Sequence, residues 1–209
     1  SDQEAAALCR ELREELIRDV SRTGGHLASN LGAVELTVAI HRVFDTSRDR
    51  LVFDVGHQCY IHKMLTGRRE EMAGLRQYGG IAGFPKPGES VHDAFIAGHA
   101  SNSVAVAVGM VQARAALGQD YQVAALIGDG ALTGGLAYEG LSNGGQCGQQ
   151  LLVILNDNGM SIDRNVGAVA RHLAQQRLKP QYLSFKQGYR RFMGATWLGR
   201  KIYRMTHSV

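Results

Sequence analysis

The sequence predicts an α/β fold, a parallel sheet flanked by helices, and three observations carry that prediction. Two apolar runs, QVAALIG at 122–128 and LLVILND at 151–157, are each long enough for one strand and are separated by a helical stretch from about Thr133 to Asn143. Strands without polar alternation are buried on both faces, and a strand–helix–strand crossover joins parallel neighbours. Both runs stop at polar residues, Gly128-Asp129-Gly130 and Asn156-Asp157-Asn158. A third run, LVFDV at 51–55, stops in the same way at Gly56-His57-Gln58.

The other elements follow in order. Ala5, Leu8, Cys9, Leu12, Leu16 and Val20 recur at helical spacing and predict an amphipathic helix over 3–20, which TGGH then breaks. AVELTVAIHRVF predicts a second helix over 33–44, and short helices are expected over Gln58–Leu65 and Arg68–Leu75. Residues 79–100, rich in Gly and Pro and carrying His92 and His99, form the longest loop, and that length points to function. SNSVAVAVGMVQARAAL at 101–117 predicts a buried helix of small residues. Beyond Arg164 the chain reads as helical and basic, so the expected division is a domain over 1–170 and a basic helical tail or linker over 171–209.

Composition narrows the class. With 44% hydrophobic and 20% charged residues among 209, the chain is globular, and 26 Gly against 3 Pro excludes a collagen-like or proline-rich chain. No apolar run reaches membrane-spanning length, and the charged N-terminal helix lacks the apolar core of a signal peptide. The expectation is a cytoplasmic protein with no membrane partner. Cys9, Cys59 and Cys147 lie far apart, forming neither a metal-binding pair nor a disulfide framework. The net charge of +4 hides a division: 9 of the 23 basic residues and none of the 19 acidic ones fall after residue 170. A basic tail suits nucleic acid, but no recognition motif accompanies it. The expectation is therefore a solvated helical linker or a surface packed on another part of the protein.

In an open parallel sheet, ligands gather outside the carboxyl ends of the strands. An aspartate between two glycines there lets the backbone approach a phosphate while the carboxylate faces a cation, and Asn158 adds a second hard oxygen. With diphosphate oxygens completing the shell, this donor set suits Mg²⁺ better than zinc. The residues alone leave another reading open, in which Asp129 caps the following helix and Asn156–Asn158 form an Asx turn.

Five segments, in order, resemble one family. GDG, 25 intervening residues and NDN resemble the thiamin diphosphate motif of the transketolase superfamily. GDGALTGGLAYEGLSNGG with LLVILNDNGMSI, TGGHLASNLGAVELTVAIHRVF, DVGHQCYIHKMLTGR, GGIAGFPK and AGHASNSVAVAVG resemble its 1-deoxy-D-xylulose-5-phosphate synthase family. The resemblance implies the diphosphate-binding half of a thiamin diphosphate-binding fold. It also implies a transferase of isoprene and thiamine biosynthesis that condenses pyruvate with glyceraldehyde 3-phosphate and releases CO₂.

Residue by residue, the resemblance implies Mg²⁺ held by Asp129, Asn158 and the Met160 carbonyl, with Gly128, Gly130 and Ala131 lining the diphosphate. His26 and His57 are implied to be catalytic, facing the thiazolium and the substrates. His57, His99 and Ser101 are implied to lie near the cofactor. Independently, an imidazole near pH 7 can orient or protonate a developing alkoxide and meet sugar phosphate oxygens. Ser29, Asn30, Lys86 and Arg68 are available donors for a substrate phosphate, while His62 reads as structural.

The chain also departs from the family pattern. Ala28 and Asn30 stand in the GGHLGSSLG segment, Phe53 replaces a tryptophan, Ile61 a proline and Gly159 a glutamate. The family's activating glutamate lies in a second domain that these segments do not cover, and Glu35 and Glu139 are the acidic residues here that such a role would need to recruit. Turnover is therefore expected to need further domains. The chain is expected to pair as a homodimer or with a chain carrying the pyrimidine-binding and C-terminal domains, through the 101–117 helix and the 79–100 loop. An N-terminal subunit of a split transketolase and a non-catalytic cofactor-binding remnant are the alternatives.

Overall fold

The computed structural model describes residues 1–157 and, beyond them, Ala168 and Gln175. Residues 1–157 fall in the first of the chain's two units, Ser1–Arg164. The predicted tail lies outside the described residues except at Ala168 and Gln175, and Asn158 and Met160 also lie outside them.

Three strands form a parallel sheet in the order β1-β2-β3: β1 (Arg50–Phe53), β2 (Val123–Gly128) and β3 (Leu152–Asn156). Register pairs Leu51 with Ala124 and Phe53 with Leu126 on one face, and Val52 with Ala125 on the other. On β2, Val123 to Ile127 are all buried, which explains the absence of polar alternation in that strand.

Against the Leu51–Phe53 face pack α1 (Asp2–Thr23), α3 (Val34–Val43) and α4 (Tyr60–Lys63), joined in one core by Leu12, Leu16, Val34, Val38, Tyr60 and Ile61. The α1 stripe Cys9, Leu12, Leu16 and Val20 is buried as its spacing requires. The other layer holds α5 (Ser103–Ala116) and α6 (Gly135–Gln146), with α5 packed on β1, β2 and α6. The small side chains of α5 thus serve a crowded interior position. Val104, Ala107, Val108 and Val111 are buried within this chain, so that helix face is core and does not wait for a partner.

Three local readings are revised. A short helix, α2 (Leu27–Leu31), precedes α3 and follows TGGH directly. Five residues hold too little periodicity to be read from sequence. The helix expected over Gln58–Leu65 begins at Tyr60 and passes into a wide turn over Met64–Arg68, where Gly67 takes φ 90°. The Arg68–Leu75 segment is a 3-10 helix over Glu70–Gly74. No helix among the described residues is long and apolar enough to cross a membrane.

Residues 79–100 contain no regular element, yet buried charge anchors them. Asp93 accepts two hydrogen bonds from Arg68 at 2.8 Å, one from His62 Nε2 at 3.0 Å and one from the Lys86 amide at 2.7 Å. Glu89 accepts from Lys63 Nζ at 2.5 Å and from the Ala82 amide at 2.7 Å. His62, Lys63 and Arg68 all come from the YIHKMLTGR segment, which is thereby stapled to the loop. These guanidinium, imidazole and amide donors hold the Asp93 carboxyl well below the usual range despite burial, which pushes the other way.

Candidate functional site

The carboxyl end of β1 is built around Asp54. This carboxylate is buried and accepts the Ser101 amide at 2.7 Å and the Ser103 amide at 3.0 Å. A negative charge is favoured at a helix N-terminus, where amides lack partners, so Asp54 fixes the start of α5 to the end of β1. Val55 and Ser101 on either side take φ 58° and 71°, conformations that non-glycine residues adopt only when their surroundings impose them. Gly56 follows at φ 89°, and a Cβ there would lie 2.6 Å from both the Ala97 Cβ and the Pro85 Cδ. The anchored loop therefore presses directly on the turn that presents His57.

His26 and His57, 31 residues apart in sequence, are brought together with ring centroids 5.4 Å apart, edge to face. Phe84 of the loop stands 6.1 Å from His26. Burial lowers the His57 pKa, with the nearby His26 adding to the effect and Asp54 opposing it. His26 is exposed as a residue, yet its ring is crowded on one side. That partial desolvation, with the Arg76 guanidinium, holds its imidazole below the ordinary 6.5. Both rings are thus biased toward the neutral form.

Asn30 is fully buried between the two histidine segments. Its Nδ2 donates to the carbonyls of His26 at 2.8 Å and His57 at 2.6 Å, and its Oδ1 accepts the Tyr60 amide at 2.9 Å. No donor is left for a substrate phosphate. Arg68 is likewise committed to Asp93, so both residues leave the set of phosphate donors, while Lys86 remains exposed. Glu35 is paired with Arg13 at 2.5 Å on the outer side of α1 and α3, and Glu139 is exposed on α6.

At the β2 end, Gly128, Asp129 and Gly130 lead into a 3-10 turn over Ala131–Thr133. Gly134, not Asp129, holds the capping position of α6, so the helix-cap reading of Asp129 does not apply to that helix. The Asp129 amide donates to the Asn156 carbonyl at 3.3 Å and joins the two strand ends. Ser101 Oγ donates to the Ala131 carbonyl at 2.6 Å, linking the GHAS segment to the GDGA turn. His99 is exposed, and its carbonyl accepts the Val55 amide at 3.2 Å. No three His, Cys, Asp or Glu side chains among the described residues form a ready-made metal site. Asp129 is the member of the Asp129–Asn158–Met160 set that lies within them.

The edge also holds polar atoms left without partners. Among the described residues His57 Nδ1, Ser103 Oγ and Asn156 Nδ2 are buried there without a hydrogen-bond partner. Buried polar atoms are nearly always paired. Unpaired polar atoms beside a glycine-bracketed aspartate are compatible with a diphosphate carried with a cation.

A parallel sheet covered by helices, with Gly-Asp-Gly at the carboxyl end of its central strand, is the diphosphate-binding part of a thiamin diphosphate-binding fold. The family described as 1-deoxy-D-xylulose-5-phosphate synthase matches over residues 1–209, and the chain belongs to it as its N-terminal domain. Similar proteins of that name include one from Syntrophomonas wolfei, 54% identical over 88% of this chain and 29% of the relative. Another, from Pelotomaculum thermopropionicum, is 50% identical over 97% of this chain and 32% of the relative. A third, from Desulforudis audaxviator, is 55% identical over 84% of this chain and 28% of the relative. The chain thus spans about three-tenths of the length of the curated relatives it matches.

Proposed function

We propose that this chain is the diphosphate- and metal-anchoring part of a 1-deoxy-D-xylulose-5-phosphate synthase. The reaction joins pyruvate to glyceraldehyde 3-phosphate with loss of CO₂, and turnover requires the domains that make up the rest of the relatives' length. The observation that carries this reading is the meeting of His26 and His57 at 5.4 Å beside a carboxyl edge with unpaired buried donors.

In this reading Asp129, with Asn158 and the Met160 carbonyl, holds Mg²⁺. Gly128, Gly130 and Ala131 offer backbone to the diphosphate, and Ser101 holds the Ala131 carbonyl in place. Thiamin diphosphate supplies the carbanion chemistry when bound. His57 and His26 face the substrates, and the neutral bias of both imidazoles suits them to hold or pass a proton on substrate oxygens. The 79–100 loop excludes water from one side through Phe84 and Pro85. His99 lies at the rim, near the cofactor. The tail from 171 is a linker toward the further domains, and assembly is as a homodimer or with a chain that supplies them.

Titration calorimetry of the chain with thiamin diphosphate and Mg²⁺ tests the anchor. Binding that Asp129→Ala abolishes, in a chain that still unfolds cooperatively, is the expected result. Binding by Asp129→Ala equal to that of the unsubstituted chain overturns the metal assignment.

A further inference from the structure

The His26 and His57 segments are adjacent in space but unrelated in sequence, and their main chains share no hydrogen bond. Side chains join them instead: the Tyr60 hydroxyl accepts the His26 amide at a long 3.3 Å, and Asn30 bonds both carbonyls at shorter range. Asn30 donates one amide proton to each segment, at 2.8 and 2.6 Å, and accepts the Tyr60 amide at 2.9 Å with its oxygen. A primary amide has two protons that diverge from one nitrogen, so a single planar group fixes the separation of two carbonyls. Serine has one proton and aspartate has none, so neither reproduces this. A Cβ on Gly25 would lie 2.8 Å from the Tyr60 hydroxyl, which leaves the His26 turn little room to relax.

We infer that Asn30 is a positioning residue that couples His26 and His57 into one unit, setting the distance and the edge-to-face angle of the two rings. The inference rests on the proposed function only for the use to which the pair is put. The coupling itself is a property of this chain without ligand. Rings held 5.4 Å apart exclude water from each other and resist double protonation. The groups facing them are Arg76 and the Tyr60 hydroxyl on the His26 side and Asp54 on the His57 side.

The test is an NMR titration of the imidazoles in the unliganded chain. In Asn30→Ser the midpoints of both His26 and His57 are expected to rise toward the ordinary 6.5, and the ring-to-ring contact signal to vanish, while His41 and His62 titrate as before. A folded Asn30→Ser chain of lower stability whose two midpoints stay put overturns the inference and leaves Asn30 as packing alone. Should that variant not fold, hydrogen exchange in the unsubstituted chain decides. Two slowly exchanging Asn30 Nδ2 protons support the clasp, and rapid exchange of either one overturns it. Failure to bind thiamin diphosphate would overturn the proposed function and leave these results standing.

Discussion

Two histidine pairs stand among the described residues, and they are wired in opposite ways. His41 Nε2 lies 2.9 Å from His62 Nδ1, and His62 Nε2 lies 3.0 Å from Asp93. Because Asp93 only accepts, His62 must donate from Nε2, so its Nδ1 accepts from His41. That chain ends in Arg68, Lys63 and Glu89, with His62, Lys63 and Asp93 almost wholly buried. His26 and His57 touch without a mutual hydrogen bond, one of them exposed and the other with an unpaired buried nitrogen. Burial lowers the pKa of all four, so burial alone does not separate the pairs. What differs is saturation. The first pair is hydrogen-bonded into the loop's ion network, and the second keeps one buried ring nitrogen without a partner.

The largest effect that tests this contrast is expected from Asp93→Ala. Removing that carboxylate leaves Arg68 and Lys63 buried with one acid between them, a situation that costs about 3–5 kcal/mol. It also frees the loop that carries Phe84 and Pro85. Chemical denaturation is expected to show a large fall in the midpoint, while His26→Ala, which removes an exposed ring of the second pair, lowers it far less. Equal losses in the two variants would mean that the edge is as closed as the ion network.

A smaller effect is expected from pH. His41 is pushed down to about 4 by burial and by His62 and His92. Between that value and the ordinary 6.5 the unfolded chain binds more protons than the folded one, so stability is full above about pH 6.5 and declines as the pH falls toward 4. His62 and His57, also lowered, act in the same direction, whereas Asp93 loses its proton-linked contribution only at still lower pH. The urea midpoint is expected to drop between pH 7 and pH 5, and to drop less in His41→Gln. A variant with an undiminished drop would place the linkage elsewhere.

How much of this was legible in the sequence depends on the range of the signal. The three strands were readable as short continuous apolar runs, β3 included although its Leu152 and Leu155 are exposed, and the α1 stripe was readable from its helical spacing. The pairing of Asp129 with the Asn156 strand end was readable because the crossover rule places consecutive parallel strands together. Asp54, Asn30 and Asp93 were not assigned their roles, since each acts on partners 25 to 49 residues away that no local pattern announces. Arg68 reads in the sequence as one available phosphate donor among four, because its charge is visible there and its partner Asp93 is not. A polar residue inside a short apolar stretch, as Asn30 is in LASNLGAV, was the available sign of buried use.

The smallest effect is expected from Tyr60→Phe, which probes the unsaturated pair from beneath. The Tyr60 ring is fully buried, yet its hydroxyl lies 3.3 Å from the His26 amide and 3.5 Å from His26 Nδ1, at the long end of hydrogen-bond range. Removing it leaves the ring's packing and the bond from the Tyr60 amide to Asn30 intact, and the exposed turn lets water reach the His26 amide. The expected cost is therefore at the low end for a hydrogen bond, about 0.5–1 kcal/mol, read as a shift in denaturation midpoint with unchanged slope. The loss at Asp93 is several times larger because there a buried charge that accepts four hydrogen bonds is removed. A Tyr60→Phe loss as large as that of Asp93→Ala would show that the His26 turn is held as tightly as the ion network, and that its ring is fixed before any ligand arrives.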